Sequence, residues 1–167
     1  MPPTLIIMGV SGSGKSVIGS LLAERLGGVF DDGDDYHPPS NKAKMSAGTP
    51  LTDEDRWPWY ATLRQRIVDM RGKTSVHVLG CSALKPVYRD RLRADDTDKE
   101  IAFVLLDGSR ELITARMAAR KGHFMPLSLL ESQLATLQPT PDLVRVSIDA
   151  TPEEIVTRIV EHFDRSE

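Results

Sequence analysis

The chain has 167 residues, of which 40% are hydrophobic and 27% are charged. This length and composition are ordinary for one globular domain with a single core, so we expect residues 1–167 to form one domain. The formal net charge of -3 provides no broad basic surface for a polyanion, so we expect no nucleic-acid partner.

The single cysteine and the N-terminal residues indicate the cellular compartment in which we expect the protein. Cys81 has no partner in the sequence, which excludes an internal disulfide and fits a reducing environment. We interpret Cys81 as a small buried residue at the end of a strand rather than as a catalytic thiol. Residues 1–4 begin no secretory pattern and no apolar window could span a bilayer, so we expect a cytoplasmic protein with no membrane partner.

Five short apolar runs predict β-strands, and helical patterns separate them. The runs are residues 4–8, 28–31, 75–81, 101–106 and 143–148. Strands that alternate with helices favour a parallel sheet covered on both faces. The sequence therefore predicts an α/β fold of three layers around a five-stranded parallel sheet.

Capping residues predict where several helices begin and end. The first helix should span residues 15–26 and stop at Gly27, where a positive φ is accessible. Thr151 followed by Pro152 predicts the start of the last helix. Ser128 with Glu131 predicts a third helix start, in a capping box.

Residues 9–16 form a glycine-rich loop between the first strand and the first helix. The spacing Gly-x4-Gly-Lys-Ser lets backbone N–H groups point at phosphate oxygens beside a helix N-terminus. Lys15 would reach the terminal phosphates and Ser16 would hold Mg²⁺. A flexible turn is the alternative, but the complete octapeptide in this position favours nucleoside triphosphate binding. The predicted nucleotide-binding residues of the loop are Gly9, Val10, Ser11, Gly12, Ser13, Gly14, Lys15 and Ser16.

Two carboxylates follow the second strand, at the edge where open α/β sheets bind ligands. A carboxylate such as Asp34 can accept a hydrogen bond from an attacking hydroxyl, and a second one such as Asp32 can hold Mg²⁺ through water. The alternative is a tight Asp-Gly turn with a purely structural role. We favour the catalytic interpretation.

A long insertion, residues 36–74, separates the second and third strands. It contains a predicted helix whose apolar face carries Trp59, Leu63, Ile67 and Met70. A polar loop with a helix beside a phosphate site indicates a substrate-binding segment.

Further cations stand near the predicted site. Arg116 and Arg120 are four residues apart at the end of a helical pattern and precede residues 121–126, which predicts a basic lid over residues 120–127. The alternative is a basic helix end that offsets the helix dipole. Ser82, Lys85, Arg89 and Arg56 could bind an anionic substrate, although Ser82 could be only a helix cap and each cation only a surface charge.

Taken together, these segments resemble the gluconate kinase (gluconokinase) family, which is related in fold to shikimate kinase and to the nucleoside monophosphate kinases. The motifs occur in family order over nearly the whole chain. The resemblance rests on residues 8–16; Asp32, Gly33, Asp34, His37, Pro38, Asn41, Lys44 and Met45; Gly48, Pro50, Leu51, Asp53, Asp55, Arg56, Pro58 and Trp59; residues 81–85 and 88–90; residues 120–125; and Ser132, Gln133, Thr136 and Leu137.

The resemblance implies a reaction of ATP with D-gluconate to give 6-phosphogluconate and ADP, with Mg²⁺, in a protein that forms a homodimer. It implies that Lys15 and Arg120 stabilise the transferring phosphoryl group, that Ser16 holds the metal, and that Asp34 orients or deprotonates the terminal hydroxyl. Arg116 resembles an arginine that stacks on adenine. The implied substrate residues are Asp34, His37, Arg56, Ser82, Lys85, Arg89 and His123.

Two departures from the family pattern concern the fit of the substrate. Gln138 stands where the family often has an acid, and Asp35 and Tyr36 change the residues between Asp34 and His37. Two alternatives stay open at this point. One is a kinase of this fold that acts on another sugar acid or a shikimate-like molecule, and the other is a nucleotide-binding switch without turnover.

Overall fold

The computed structural model describes residues 1–119 and 127–166. Five strands and seven α-helices are assigned within these ranges, together with a short 3-10 helix over Gly33–Tyr36. The strands are β1 Thr4–Met8, β2 Val29–Asp32, β3 His77–Gly80, β4 Ile101–Asp107 and β5 Val144–Ser147. The helices are α1 Lys15–Leu26, α2 Pro39–Ser46, α3 Asp53–Met70, α4 Pro86–Arg93, α5 Arg110–Ala118, α6 Leu127–Thr136 and α7 Pro152–Arg165.

The strands form one parallel sheet in the order β2-β3-β1-β4-β5, which confirms the predicted five-stranded parallel sheet. After β1 the chain crosses to one side of the sheet and, after β3, to the other. The crevice between the carboxyl ends of β1 and β3 is therefore a topological switch point, where α/β folds bind ligands.

Each face of the sheet is covered by its own set of helices. Side chains alternate along β1, so Leu5 and Ile7 pack on the face with α1 and α7, whereas Ile6 and Met8 pack on the face with α3 and α4. All four of these β1 side chains are fully buried. The predicted three-layer arrangement is confirmed.

The capping predictions have two outcomes. The predicted bounds of α1 are confirmed, and Thr151 caps α7 because its hydroxyl accepts the Glu154 N–H at 3.2 Å. The predicted start of α6 at Ser128 is wrong. This helix begins at Leu127, so Ser128 lies inside its first turn and does not precede the helix as a cap. The first and last residues of a helix vary by one or two positions with their local surroundings, so a capping motif by itself does not fix where a helix begins.

The insertion contains two helices where the sequence predicted one. Pro39 opens α2, a position in which the missing N–H of proline costs no hydrogen bond. Thr52 and Asp55 form a capping box at the start of α3. The predicted apolar face of α3 is confirmed, since Trp59, Leu63, Ile67 and Met70 are all buried.

Cys81 is buried, and burial raises the pKa of its thiol to about 12. A thiol with this pKa is not ionised at neutral pH, so the interpretation as a small buried residue is confirmed. Among the described residues, no helix combines the length and the apolarity that a membrane span requires.

Candidate active site

The phosphate loop, residues 9–16, and the segment after β3 meet at the crevice. The Gly9 N–H donates to the carbonyl of Ser82 at 3.3 Å, and the Cys81 N–H donates to the carbonyl of Ile7 at 3.0 Å. Residues 32–34, here called the acid turn, begin at the last residue of β2 and lie at the same edge of the sheet. Three segments that lie far apart in the sequence therefore border one cleft.

The phosphate loop has the curled backbone that its glycines permit. Gly9 has a φ of +147°, and a Cβ there would lie 2.8 Å from the Ser13 Oγ. Gly14, with a φ of +99°, precedes α1 and offers no capping side chain, so the N-terminus of α1 faces the loop without a side-chain cap, as in helix ends that bind phosphate. Lys15 Nζ donates to the carbonyls of Gly9 at 2.9 Å and Val10 at 3.1 Å, which keeps its charge at the rim of the loop.

The two predicted metal residues are in contact. The Ser16 hydroxyl donates to Oδ2 of Asp32 at 2.9 Å, and Oδ1 of Asp32 accepts the Asp34 N–H at 3.0 Å. A hydroxyl and a carboxylate are hard oxygen donors, which suit Mg²⁺ when substrate phosphates complete its coordination. This pair therefore fits the predicted ion.

Asp34 lies beside the phosphate loop, with its side chain 81% exposed in the open cleft. The surrounding protein nevertheless reduces the hydration of the carboxylate. This desolvation raises the pKa of Asp34, and the negative charge of Asp32 raises it further, while the positive charge of Lys15 opposes the rise. Asp34 thus has a higher proton affinity than an ordinary aspartate and stands within the electrostatic reach of Lys15.

His37 is held in a defined orientation next to Asp34. Its ring stacks on Trp59 with centroids 3.9 Å apart, and its Nε2 lies 3.9 Å from Oδ1 of Asp34. The side-chain amide of Asn41 donates to the carbonyl of Asp55 at 2.9 Å, so the nitrogen 3.2 Å from His37 Nδ1 is also a donor. Nδ1 is therefore the acceptor, and Nε2 carries the proton and points toward Asp34.

Three charged side chains and one tyrosine form a group that we call the Asp53 cluster: Asp53, Arg56, Lys85 and Tyr88. Oδ1 of Asp53 accepts the Tyr88 hydroxyl at 2.6 Å and lies 3.7 Å from Arg56 and 4.0 Å from Lys85. Both cations also stand over the Tyr88 ring, at 5.3 Å and 5.5 Å from its centroid. The cluster brings together two cations that the sequence predicted for an anionic substrate.

The whole chain resembles known kinases. A family profile described as shikimate kinase matches residues 11–164. A gluconokinase of Gluconobacter oxydans (strain 621H) is 46% identical over 169 residues, which cover 97% of this chain and 92% of that protein. The crystal structure of a gluconokinase from Sinorhizobium meliloti 1021 superposes with a TM-score of 0.83 at 42% identity, covering 99% of this chain and 98% of the other.

The chain belongs to the gluconokinase family. The family that the motifs predicted is thereby confirmed, and membership of a kinase family makes ATP a substrate. The structure of shikimate kinase from Aquifex aeolicus vf5 is 18% identical, with a TM-score of 0.62, and covers 98% of this chain and 97% of the other. That likeness shows a shared fold.

One predicted substrate residue of this gluconokinase-family chain is placed elsewhere. Arg89 is 2% exposed, and its guanidinium donates to the carbonyls of Ala83 at 2.8 Å and Gln138 at 2.6 Å. Burial lowers the pKa of Arg89. The sequence could not separate a buried arginine that ties two segments together from one that faces a ligand, and we leave Arg89 out of the proposed substrate contacts.

The remaining predicted residues fall in three places. The guanidinium of Arg116 donates to the carbonyls of Ile148 and Ala150, which places it against the segment between β5 and α7. Ser82 follows β3 and lies next to Gly9, as described above. Arg120 and His123, with most of the predicted lid, lie outside the described residues.

Sequence reasoning missed the polar role of Trp59, which it assigned only to the apolar face of α3. The indole Nε1–H donates to the carbonyl of Gly33 at 2.8 Å, while the ring supports His37. Through this hydrogen bond, Trp59 fixes the position of the acid turn. One sequence feature could have indicated this role: a tryptophan on the apolar face of a helix is buried, and its N–H then requires a hydrogen-bond acceptor.

A second missed residue is Gln133. Its side-chain oxygen accepts the Ser11 N–H at 2.7 Å, and its amide nitrogen donates to the Ser11 Oγ at 3.2 Å. The motif containing Ser132 and Gln133 supported the family resemblance, but nothing in its pattern indicated a partner 122 positions away.

Burial of His37 makes the stability of the protein depend on pH. Desolvation lowers the pKa of His37 to about 4, and the charges of Arg56 and Lys42 contribute. An unfolded histidine binds its proton near pH 6.5, so the unfolded chain binds more protons between about pH 6.5 and 4. We expect the free energy of unfolding to fall across this window as pH is lowered, with up to about 3 kcal/mol of the loss due to His37.

The measurement is urea unfolding at several pH values for the wild type and His37→Gln. The variant should show a shallower pH dependence, with a remainder to which His77 contributes because burial lowers its pKa as well. His162→Gln, which alters an exposed histidine of α7, is the matched control. An unchanged slope in His37→Gln would contradict the expectation.

Proposed function

We propose that this chain is a gluconokinase that transfers the terminal phosphoryl group of ATP to the terminal hydroxyl of D-gluconate. One observation carries the proposal. A carboxylate with a raised pKa, Asp34, is linked electrostatically to the phosphate loop, and His37 beside it is linked in the same way to the Asp53 cluster. Lys15 affects the pKa of Asp34, and Arg56 affects the pKa of His37, which lies beside Asp34.

The gluconokinase names of the relatives support the choice of substrate. D-gluconate is a polyol with a carboxylate at one end and a primary hydroxyl at the other. Its two ends therefore need different partners: a base near the phosphate loop and cations farther away. Asp34 provides the base, and Arg56 and Lys85 of the Asp53 cluster provide the cations.

Asp34 acts as the general base in this proposal. It accepts the proton of the attacking hydroxyl while a bond forms between that oxygen and the terminal phosphorus and the bond from phosphorus to the bridging oxygen of ADP breaks. A base is more effective when its pKa lies closer to the operating pH, which the raised pKa of Asp34 favours. His37 Nε2–H, 3.9 Å from Asp34, would donate to a substrate oxygen or to the carboxylate.

Cations compensate for the negative charge of the transferring group. Lys15 would exchange the carbonyls of Gly9 and Val10 for phosphate oxygens, and we keep Arg120 as a second predicted cation. Ser16 and Asp32 would hold Mg²⁺, which supplies further charge neutralisation at the phosphates when it is bound. Arg116 stays a predicted adenine contact.

Arg56 and Lys85 would bind the gluconate carboxylate. Both are half-buried, and Asp53 keeps them close together in the absence of substrate. A charge-assisted hydrogen bond in such a site is stronger than a neutral one. Ser82 and His37 remain the proposed contacts for substrate hydroxyls. The predicted homodimer and cytoplasmic location stay predictions.

A substrate panel tests the proposal directly. Purified protein with Mg-ATP should show the highest kcat/KM with D-gluconate, measured as ADP release, and lower values with other sugar acids and shikimate. D-glucose, which lacks the carboxylate, should be poorer by about 10- to 100-fold or more, because one charged hydrogen bond is worth about 1.5–3 kcal/mol. A preference for another acid would replace gluconate as the substrate. Nucleotide binding without turnover of any acid would indicate the switch.

Asp34→Asn should lower kcat by about 10²- to 10⁴-fold, because an amide cannot accept the proton of the hydroxyl. The dissociation constant of Mg-ADP should stay close to the wild-type value, since the phosphate loop is unchanged. Asp164→Asn is the matched control, because it makes the same chemical change at an exposed aspartate of α7. Near-normal kcat in Asp34→Asn would exclude its role as the base.

Lys85→Met and Arg56→Met should each raise KM for D-gluconate by about 10-fold or more, through loss of a charged hydrogen bond. KM for ATP should change little, because neither side chain belongs to the phosphate loop. Lys73→Met removes an exposed lysine outside the cleft and serves as the control. An unchanged KM for gluconate in both cluster variants would place the carboxylate elsewhere.

A further inference from the structure

Gln133 makes a two-point contact with the phosphate loop that the proposed chemistry does not use. Its side-chain oxygen accepts the backbone N–H of Ser11 at 2.7 Å, and its side-chain nitrogen donates to the hydroxyl of the same residue at 3.2 Å. Both hydrogen bonds are partly buried. One amide of α6 therefore fixes both the peptide and the side chain of a loop residue.

Ser11 occupies a point at which the loop needs support. The next residue, Gly12, has a φ of +83°, and glycine has more backbone freedom than any other residue. Phosphate loops also direct several N–H dipoles toward one point, which is unfavourable until an acceptor is present. The oxygen of Gln133 accepts the Ser11 N–H and so fixes this peptide without adding a negative charge that would repel a phosphate.

Gln133 is itself held in place by the anchoring of α6. Leu130, one turn earlier, is 1% exposed in the apolar core beneath the sheet. Just after the helix, the Gln138 N–H donates to the carbonyl of Leu84 at 2.8 Å, and Arg89 donates to the carbonyl of Gln138 at 2.6 Å. Core packing thus fixes one side of α6, and hydrogen bonds fix the chain just after its end. Because the helix is held in this way, the position of the Gln133 amide is well defined, as a supporting residue requires.

We propose that Gln133 is a positioning residue for nucleotide binding. It holds Ser11 so that the phosphate loop keeps its ligand-binding shape before the nucleotide arrives, and the nucleotide then does not have to order this part of the loop. The inference rests on the proposed function only in requiring that the loop binds a nucleotide. It does not depend on the identity of the phosphoryl acceptor.

The test is the affinity for Mg-ADP, measured by calorimetry in the absence of any sugar acid. Gln133→Leu removes both hydrogen bonds while keeping a similar volume. We expect its dissociation constant to rise by about 5- to 100-fold, because the nucleotide must then supply the ordering of the loop that two neutral hydrogen bonds, about 1–3 kcal/mol together, provide in the wild type. KM for ATP should rise in parallel, whereas kcat at saturating ATP and KM for the acceptor should change by less than about 2-fold if the contact acts on binding alone. Gln65→Leu, an exposed glutamine of α3 bonded to Asp69, is the matched control.

A second variant keeps the test decisive if Gln133→Leu does not fold. Gln133→Glu retains an acceptor for the Ser11 N–H but places a negative charge beside the phosphates. It should melt at a temperature close to that of the wild type and bind Mg-ADP more weakly, with the loss diminished at high salt. Unchanged or tighter binding of Mg-ADP in the folded variants would overturn the proposal, and tighter binding in Gln133→Leu would show that Gln133 competes with the nucleotide for Ser11.

The two proposals fail in different ways. Absence of turnover with D-gluconate would defeat the assigned substrate and leave the calorimetric comparison intact. Wild-type affinity for Mg-ADP in both Gln133 variants would defeat the positioning role and leave the kinase activity as proposed.

Discussion

The parallel pairing of β1 with β3 is the constraint on which the site depends. This pairing brings the carboxyl ends of both strands to one edge, so that Gly9 of the phosphate loop contacts Ser82 of the following segment. β2 pairs with the side of β3 that faces away from β1, so the acid turn at the end of β2 lies at the same edge of the sheet. The strand order alone therefore brings the phosphate loop, the acid turn and the segment after β3 to one edge of the sheet.

Side-chain contacts then restrict what the edge can do. The indole N–H of Trp59 donates to the carbonyl of Gly33, and its ring stacks on His37. A helix of the insertion, α3, therefore fixes the position of the acid turn. Gln133 holds Ser11 from the opposite face of the sheet. The acid turn and the phosphate loop are thus supported by two helices that pack on different layers, and each support includes a hydrogen bond between a side chain and the backbone of the turn or loop.

Electrostatics divide the cleft into two regions. Near the phosphate loop, the carboxylates Asp32 and Asp34 lie close enough for one to raise the pKa of the other, while Lys15 opposes this effect. In the Asp53 cluster, a single carboxylate lies 3.7 Å from Arg56 and 4.0 Å from Lys85. His37 lies 3.9 Å from Asp34 and stays neutral at physiological pH because its burial lowers its pKa. A substrate with unlike ends, one to be deprotonated and one already anionic, matches this division.

The sequence by itself determined the features that contiguous residues encode. The phosphate loop, the start of α7 at Thr151, the apolar face of α3 and the five-stranded parallel sheet follow from local spacing and periodicity, and the family motifs follow from their order in the chain. Tertiary structure alone decided which side chains meet across long separations. It buried Arg89 against backbone carbonyls, joined Gln133 to Ser11 across 122 positions and turned the indole of Trp59 toward Gly33. The physical reason is that spacing along the chain specifies backbone conformation and the face a residue occupies, whereas a hydrogen-bond partner is selected only when the packed elements bring a matching donor and acceptor within reach.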